Sequence, residues 1–313
     1  LTYKKIPNTI EAEGNVKIED NINNYLMFSD KATYLRNEEI AFTEGNSKAI
    51  DNENREITAE KLTYKKIPNT IEAEGNVKIE DKTEDYEIYS EKLTYFNSDE
   101  KVITKGFTEG NIKSKYNIKS KDVLFDLKTE ELSSKMKSTL QDNNNQIYYF
   151  EKFIYYVNQN LVKGDGVLTI TNYKLPKSDK FYFSSGIFNL SEKKFSGKDT
   201  KINIHKNIFD KEENDPRIYS VSSKGDENFT ILKKGIFTSC QKRNGCPPWS
   251  IKSDEILHDK QKRQLNYKNA FLNIYDIPVF YFPKFFHPDP SVVKQSGLLI
   301  PEINGSDVLG TSI

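Results

Sequence analysis

The sequence predicts an all-β chain built from stacked strand repeats, and three observations carry that prediction. The first is a perfect duplication: LTYKKIPNTIEAEGNVKIED fills Leu1 to Asp20 and again Leu62 to Asp81. A weaker copy lies between the two, so the offset holds two periods of about 30 residues. The second is a pair of landmarks in each unit. One is Ser29-Asp30-Lys31, Ala59-Glu60-Lys61 and Ser90-Glu91-Lys92, each leading into a Thr-Tyr. The other is Glu-Gly-Asn, with its glycine at Gly14, Gly45, Gly75 and Gly110, so the register holds for three periods and then stretches by a few residues. The third is the hydrophobic period inside the unit, which is two. Units of this kind bury a shared face that none could bury alone.

From Ile71 to Glu80 one parity reads Ile71, Ala73, Gly75, Val77, Ile79 and the other Glu72, Glu74, Asn76, Lys78, Glu80. That is a sheet with one apolar and one wet face. The expected inner-face residues are therefore Ile71, Ala73, Val77 and Ile79, with their twins Ile10, Ala12, Val16 and Ile18. Around Gly45 the same parity carries Ala41, Thr43, Ser47 and Ala49, and around Gly110 it carries Thr108, Ile112 and Ser114. This small, mixed face fits either tight packing of facing sheets or a groove for an amphipathic ligand, and the residues leave both open.

Composition narrows the class. The 313 residues balance 46 basic against 46 acidic side chains, which gives no electrostatic reason to expect nucleic acid as a partner. Hydrophobic residues make up only 36%, yet 18 Tyr and 19 Phe are present, which suits thin β-layers better than a deep helical core. No run approaches the roughly 18 apolar residues of a membrane helix. The chain opens without Met inside a repeat and stops inside a strand-like run, so it reads as a fragment with both ends missing.

Short β-type runs continue at Val123–Leu127, Val167–Thr171, Phe181–Phe183, Lys201–Ile204 and Phe229–Leu232, set apart by turn residues such as Gly164-Asp165-Gly166. Glu130 to Gln141 lacks an apolar stripe and reads as a loop or irregular edge. Past Gly235 the character changes. Five prolines between Pro278 and Pro301 exclude a regular helix and predict a stiff aromatic connector, followed by a hairpin from Leu298 with its turn at Asn304-Gly305.

Chemistry is sparse. His205, His258 and His287 stand apart without metal-binding spacing, and no nucleophile elbow or phosphate loop occurs, so no enzyme, no cofactor and no metal site are expected. Cys240 and Cys246 are the two cysteines. Their C-x5-C spacing is not that of a zinc ribbon, and it leaves a disulfide or free thiols open.

Between Gly235 and Pro301 lie a Thr-x-Cys at Thr238-Ser239-Cys240, a Pro-x-Trp-x-Ile ending at Ile251, an Asn269-Ala270 followed by Ile277-Pro278-Val279-Phe280-Tyr281-Phe282-Pro283, and a Ser296-Gly297-Leu298-Leu299-Ile300-Pro301. In this order, behind Glu-Gly-Asn repeats, they resemble the LPS-assembly (organic solvent tolerance, OstA-like) family of Gram-negative outer membranes. The resemblance implies a periplasmic β-jellyroll, or β-taco, over 1–236, a Pro/aromatic junction over 237–293, and the first hairpin of an antiparallel transmembrane β-barrel over 294–313. It also implies a translocon that takes lipopolysaccharide from a periplasmic bridge and delivers it to the outer leaflet through a lateral gate. Lipid A acyl chains would slide along the inner face, a bridging protein of the same family would dock by β-augmentation, and a plug lipoprotein would sit inside the barrel. Cys240, and less directly Cys246, would bond to cysteines of that barrel. Pro301 would weaken the seam of the lateral gate, because proline has no N–H for a neighbouring strand.

Other classes remain in view: a structural β-solenoid or adhesin spacer, a soluble LPS-bridging protein, and a β-helix carbohydrate lyase. An adhesin has no need of a Pro/aromatic segment leading to an amphipathic hairpin, and a lyase needs clustered carboxylates.

Overall fold

The computed structural model describes every residue except 7, 172–177, 205–214, 243–246, 290–291, 293–303, 307–309 and 313, and at 304–306 and 310–312 it describes the backbone alone. Among the described residues there are strands and turns and no helix. Contacts divide the chain into two compact units, residues 1–143 with 150–159, and residues 144–149 with 160–313.

The first unit is an antiparallel meander of β1 (Thr2–Lys4), β2 (Thr9–Asp20), β3 (Tyr25–Leu35), β4 (Ile40–Ile50), β5 (Glu56–Lys65), β6 (Thr70–Asp81), β7 (Tyr86–Phe96) and β8 (Lys101–Ile112). At β8 the sheet splits. Its second half pairs with β9 (Tyr116–Lys121) and its first with β10 (Leu124–Asp126), and these lead on to β11 (Glu131–Ser134), β12 (Ser138–Asp142) and β14 (Lys152–Tyr156). The segment read as a loop, Glu130 to Gln141, therefore supplies two short strands. Their alternation spans only four or five residues each, too few for a period to stand out.

The second unit takes in β13 (Ile147–Phe150), which pairs with β15 (Leu161–Ile170). From there a meander runs through β16 (Lys180–Asn189), β17 (Lys194–Asn203), β18 (Arg217–Gly225), β19 (Phe229–Thr238), β20 (Trp249–Asp259), β21 (Gln264–Ile274) and β22 (Ile277–Pro288). The proline-rich segment read as a connector is thus the strand β22, paired on one side only among the described residues, where prolines without N–H groups are tolerated. Gly164-Asp165-Gly166, read as a turn, lies inside β15. The last hairpin pairs β23 (Asn304–Ser306) with β24 (Gly310–Ser312), so Asn304-Gly305, read as the turn, stands in a strand. Asn-Gly favours a tight turn locally, but strand pairing overrides that preference here.

Each meander is folded over on itself. Tyr25 stands level with Arg55, the residue before β5, and Tyr64 is nine residues farther along, which in a flat sheet is about 30 Å. Their rings nonetheless meet at 5.3 Å. Tyr86 with Phe125 at 5.2 Å, and in the second unit Phe237 with His287 at 4.8 Å, likewise join opposite ends of their strands. The crease runs through residues with left-handed backbone: Gly14, Gly45, Gly75 and Gly106, at φ of 75 to 86°. Asn15, Asn46 and Asn76 follow the first three, also at positive φ, and the pairing register shifts beside each. These are β-bulges, and they bend the strand.

The fourth bulge glycine is Gly106, not Gly110. Gly110 has no positive φ and is an ordinary buried strand residue beside Ile118. The steps 14, 45, 75, 106 keep the period, and the apparent stretch in the landmark arises because this crease reads Lys105-Gly106-Phe107 while Glu-Gly-Asn stands four residues beyond it.

Candidate functional site

The interior of the folded sheet is the candidate site, and the two units fill it differently. In the first unit Ile71, Ala73, Val77 and Ile79 are all buried, at most 1% exposed. Glu72, Lys78 and Glu80 turn outward into ion pairs. The twins on β2 are less enclosed: Val16 is buried, while Ile10, Ala12 and Ile18 are half-buried, because β1 covers only three residues of β2 on its outer side. At the crease, where half-strands converge, Thr43 donates to Ser47 at 2.9 Å and the Thr104 and Thr108 hydroxyls meet at 2.6 Å. The small polar residues on this face are thus packing residues; Ser114, expected among them, is exposed in the turn after β8.

Toward the strand ends the leaves of the first unit are clasped by polar groups. The Tyr64 hydroxyl donates to Asp20 at 2.7 Å and that of Tyr95 to Asp51 at 3.2 Å. Asp51 also holds Arg55 at 2.7 Å, both side chains buried. Burial and the Asp20 carboxylate push the Tyr64 phenol above its ordinary range.

The second unit is hollow. A cavity of about 510 Å³ lies within it, of the size that holds a small-molecule ligand. Its wall is aromatic: Tyr148 meets Phe188 at 5.2 Å, Phe183 meets Phe188 and Phe195 at 5.6 Å each, and Phe181 stacks beside Phe183. Gly197 makes room for this wall, since a Cβ there would lie 2.1 Å from the Phe183 ring. Its rim is charged. Lys193 pairs with Glu227 at 2.5 Å, the Lys260 ammonium donates to the Asp226 carbonyl at 2.9 Å, and His258 meets Asp289 at 2.9 Å. Burial pulls the Lys260 pKa down, against the pull of Asp179, Asp226 and Glu227. A cavity lined on one part by aromatic rings and on the other by polar and charged side chains suits an amphiphile, its chains against the rings and its headgroup against the charges.

Beside the rim, the histidines that stand apart in sequence come together. His258, Leu265 and His287 are successive partners across β20, β21 and β22. The Tyr267 hydroxyl lies 2.8 Å from His287 Nε2, and burial lowers the His287 pKa to about 4. No spacing in the sequence signals this, because it depends on strand register; His205 lies outside the described residues.

The motifs of the last eighty residues also meet. Thr238 donates to the Trp249 carbonyl at 2.9 Å, and the Cys240 thiol faces the same carbonyl at 3.8 Å. Asn269, at φ 52°, donates to Asp254 at 2.9 Å, and its carbonyl accepts from the Tyr281 hydroxyl at 3.2 Å. Over 82 residues the sequence is 35% identical to LPS-assembly protein LptD of Sodalis glossinidius. Over 81 residues it is 35% identical to the LptD of Escherichia coli K12 and 33% to that of Salmonella typhi. The chain is similar to LptD. The likeness covers 26% of this chain and 10% of each of these LptD proteins. No family model matches.

Of the residues expected from the LptD-like motifs, Cys240 is half-buried and free of a disulfide among the described residues. Cys246 and Pro301 lie outside the described residues.

Proposed function

We propose that this chain handles lipopolysaccharide on its way to the outer membrane, as the periplasmic part of an LptD-like translocon, with no bond made or broken. The observation that carries this reading is the cavity of the second unit, whose aromatic wall and mixed-charge rim match a lipid that has both acyl chains and charged groups. The similarity to LptD supports lipopolysaccharide as that lipid. The inner face of the first unit, which holds Ile10 and Ile79, is also apolar, but it packs closed and would have to part to take chains. The outer-membrane location, the bridging protein, the plug lipoprotein, the barrel hairpin over 294–313, the weakened seam at Pro301 and the oxidation of Cys240 all belong to the same proposal.

A photo-crosslinking side chain at Phe188 tests it. The expected result is a lipopolysaccharide adduct from Phe188, and none from the outward-facing Tyr219. Adducts from neither position, in folded protein supplied with lipopolysaccharide, would remove the cavity from the path.

A further inference from the structure

Among the described residues β22 is an edge strand of the second unit, and this edge is built unlike the rest of the chain. β22 pairs with β21 on one side, and its first five residues, Ile277 to Tyr281, are all exposed, with Ile277 at 66% and Phe280 at 61%. Tyr281 projects from the opposite face to Phe280, and Val279 stands exposed in the bulge before them, so apolar side chains stand out on both sides of this edge. An edge strand in water is ordinarily blunted by charge, and the one charge in β22 is Lys284.

The outer face leading to this edge is also distinctive. Lys201, Tyr219, Ile236, Lys252, Phe271 and Tyr281 are successive register partners from β17 to β22, a row without a carboxylate. The Lys201 ammonium lies 5.6 Å from the ring centres of both Tyr182 and Tyr219, while Lys252 is paired with Asp276 at 3.1 Å. The corresponding row of the first unit runs Thr33, Phe42, Thr63, Glu72, Thr94, Ile103, threonine-rich and carrying an acid. Tyrosine and lysine, each an apolar body with a polar tip, are the residues of a membrane–water boundary.

We propose that the β22 edge of the second unit rests in the interfacial layer of an anionic lipid bilayer, with Ile277, Val279 and Phe280 entering the acyl boundary and Lys201 meeting lipid phosphates. Two features favour lipid over a protein strand. β22 carries Pro278, Pro283 and Pro288, and each proline nitrogen turned to the open edge removes a donor from an added strand, and the exposed apolar groups on both faces suit a medium that surrounds the edge better than a partner that covers one side. The proposal does not depend on the lipid cavity.

Flotation of the full chain with vesicles tests it, using phosphatidylglycerol mixed with phosphatidylcholine in one arm and phosphatidylcholine alone in the other. The chain is expected to float with the anionic vesicles. Ile277→Ser/Val279→Ser/Phe280→Ser should cut partitioning by about tenfold or more, and Lys201→Gln should cut it by about fivefold on anionic vesicles only. Phe42→Ser/Ile103→Ser in the first unit should change nothing. Val279→Ser alone, expected to weaken flotation in the same direction, serves if the triple variant does not fold, with Trp249 emission and the thermal midpoint as checks. No flotation of the wild-type chain, flotation indifferent to the β22 changes, or self-association lost on those changes would each overturn the proposal, the last by making the edge a contact between copies.

Discussion

The Asn46 side-chain amide donates to the Asp30 carboxylate at 2.9 Å, across the bulge where β4 bends. Asn76 does the same to Glu60 at 2.6 Å, and Asn269 to Asp254 at 2.9 Å. The two sequence landmarks are therefore the halves of one device: the acid of Ser/Ala-Asp/Glu-Lys holds the asparagine of Glu-Gly-Asn. The flanking charges follow the same logic. Glu13, Lys31, Glu44, Lys61, Glu74 and Lys92 are successive register partners, and Lys31–Glu13, Lys61–Glu44 and Lys92–Glu74 pair at 2.9, 3.3 and 2.7 Å. Exposed as they are, these pairs specify alignment more than they stabilise.

The glycine of this device should be costly to replace where the acid crowds it. At Gly75 the φ is +79° and a Cβ would lie 2.6 Å from the Glu60 carboxylate and 3.0 Å from its Cβ, whereas at Gly14, with φ +81°, nothing lies within 4 Å. Gly75→Ala is expected to lose about 2 kcal/mol or more and Gly14→Ala about 1 kcal/mol, the backbone strain alone. Thermal melts of the two variants make the comparison. Equal losses would mean that the acid does not crowd the crease.

Identical segments should respond differently to the same change. Ile71 is fully buried and Ile10, its twin in the other copy, is half-buried. Ile71→Asp places an unpaired carboxylate in an apolar layer and should cost several kcal/mol. Ile10→Asp should cost about 1 kcal/mol, because water reaches it. Urea titration of both variants would show a large gap in midpoint, and similar midpoints would contradict the burial difference.

The tyrosine clasp gives an opposed pair. Tyr64 loses a hydrogen bond to Asp20 when changed to Phe, at about 1 to 2 kcal/mol. The Tyr25 hydroxyl is buried and has no hydrogen-bond partner among the described residues, so Tyr25→Phe should be neutral or stabilising by up to about 1 kcal/mol. Differential scanning calorimetry should move the two midpoints in opposite directions or leave Tyr25→Phe unmoved.

His287 ties stability to pH. Burial lowers its pKa to about 4 from an ordinary value near 6.5. Between those values the unfolded chain binds the proton and the folded chain does not. The His287 contribution is therefore complete above about pH 6.5 and is lost as the pH falls toward 4, on the order of a few kcal/mol in total. Unfolding free energies at pH 7.5, 5.5 and 4.5 should fall more steeply for the wild-type chain than for His287→Gln. Parallel curves would assign the acid sensitivity elsewhere.

What the sequence by itself determined is local. Alternation marked Ile71, Ala73, Val77 and Ile79 as inward and Glu72 and Glu74 as outward, because side chains on a strand must alternate whatever the strand pairs with. The Glu-Gly-Asn landmark coincides with the crease in three units, because glycine and asparagine tolerate left-handed backbone, but the alternation around it shows no sign of the bend. In the second unit the mid-strand left-handed positions fall on Gly166, Asp199, Lys234 and Asn269. There the crease survives as a backbone feature while the residue type does not, so no repeat is legible. Only the tertiary structure decided that Tyr25 meets Tyr64, that His258 and His287 flank Leu265, that the proline-rich segment is an edge strand, and that one folded sheet is packed shut while the other holds a cavity. Each of these depends on strand register and on how closely two leaves approach, and a period of two is blind to both.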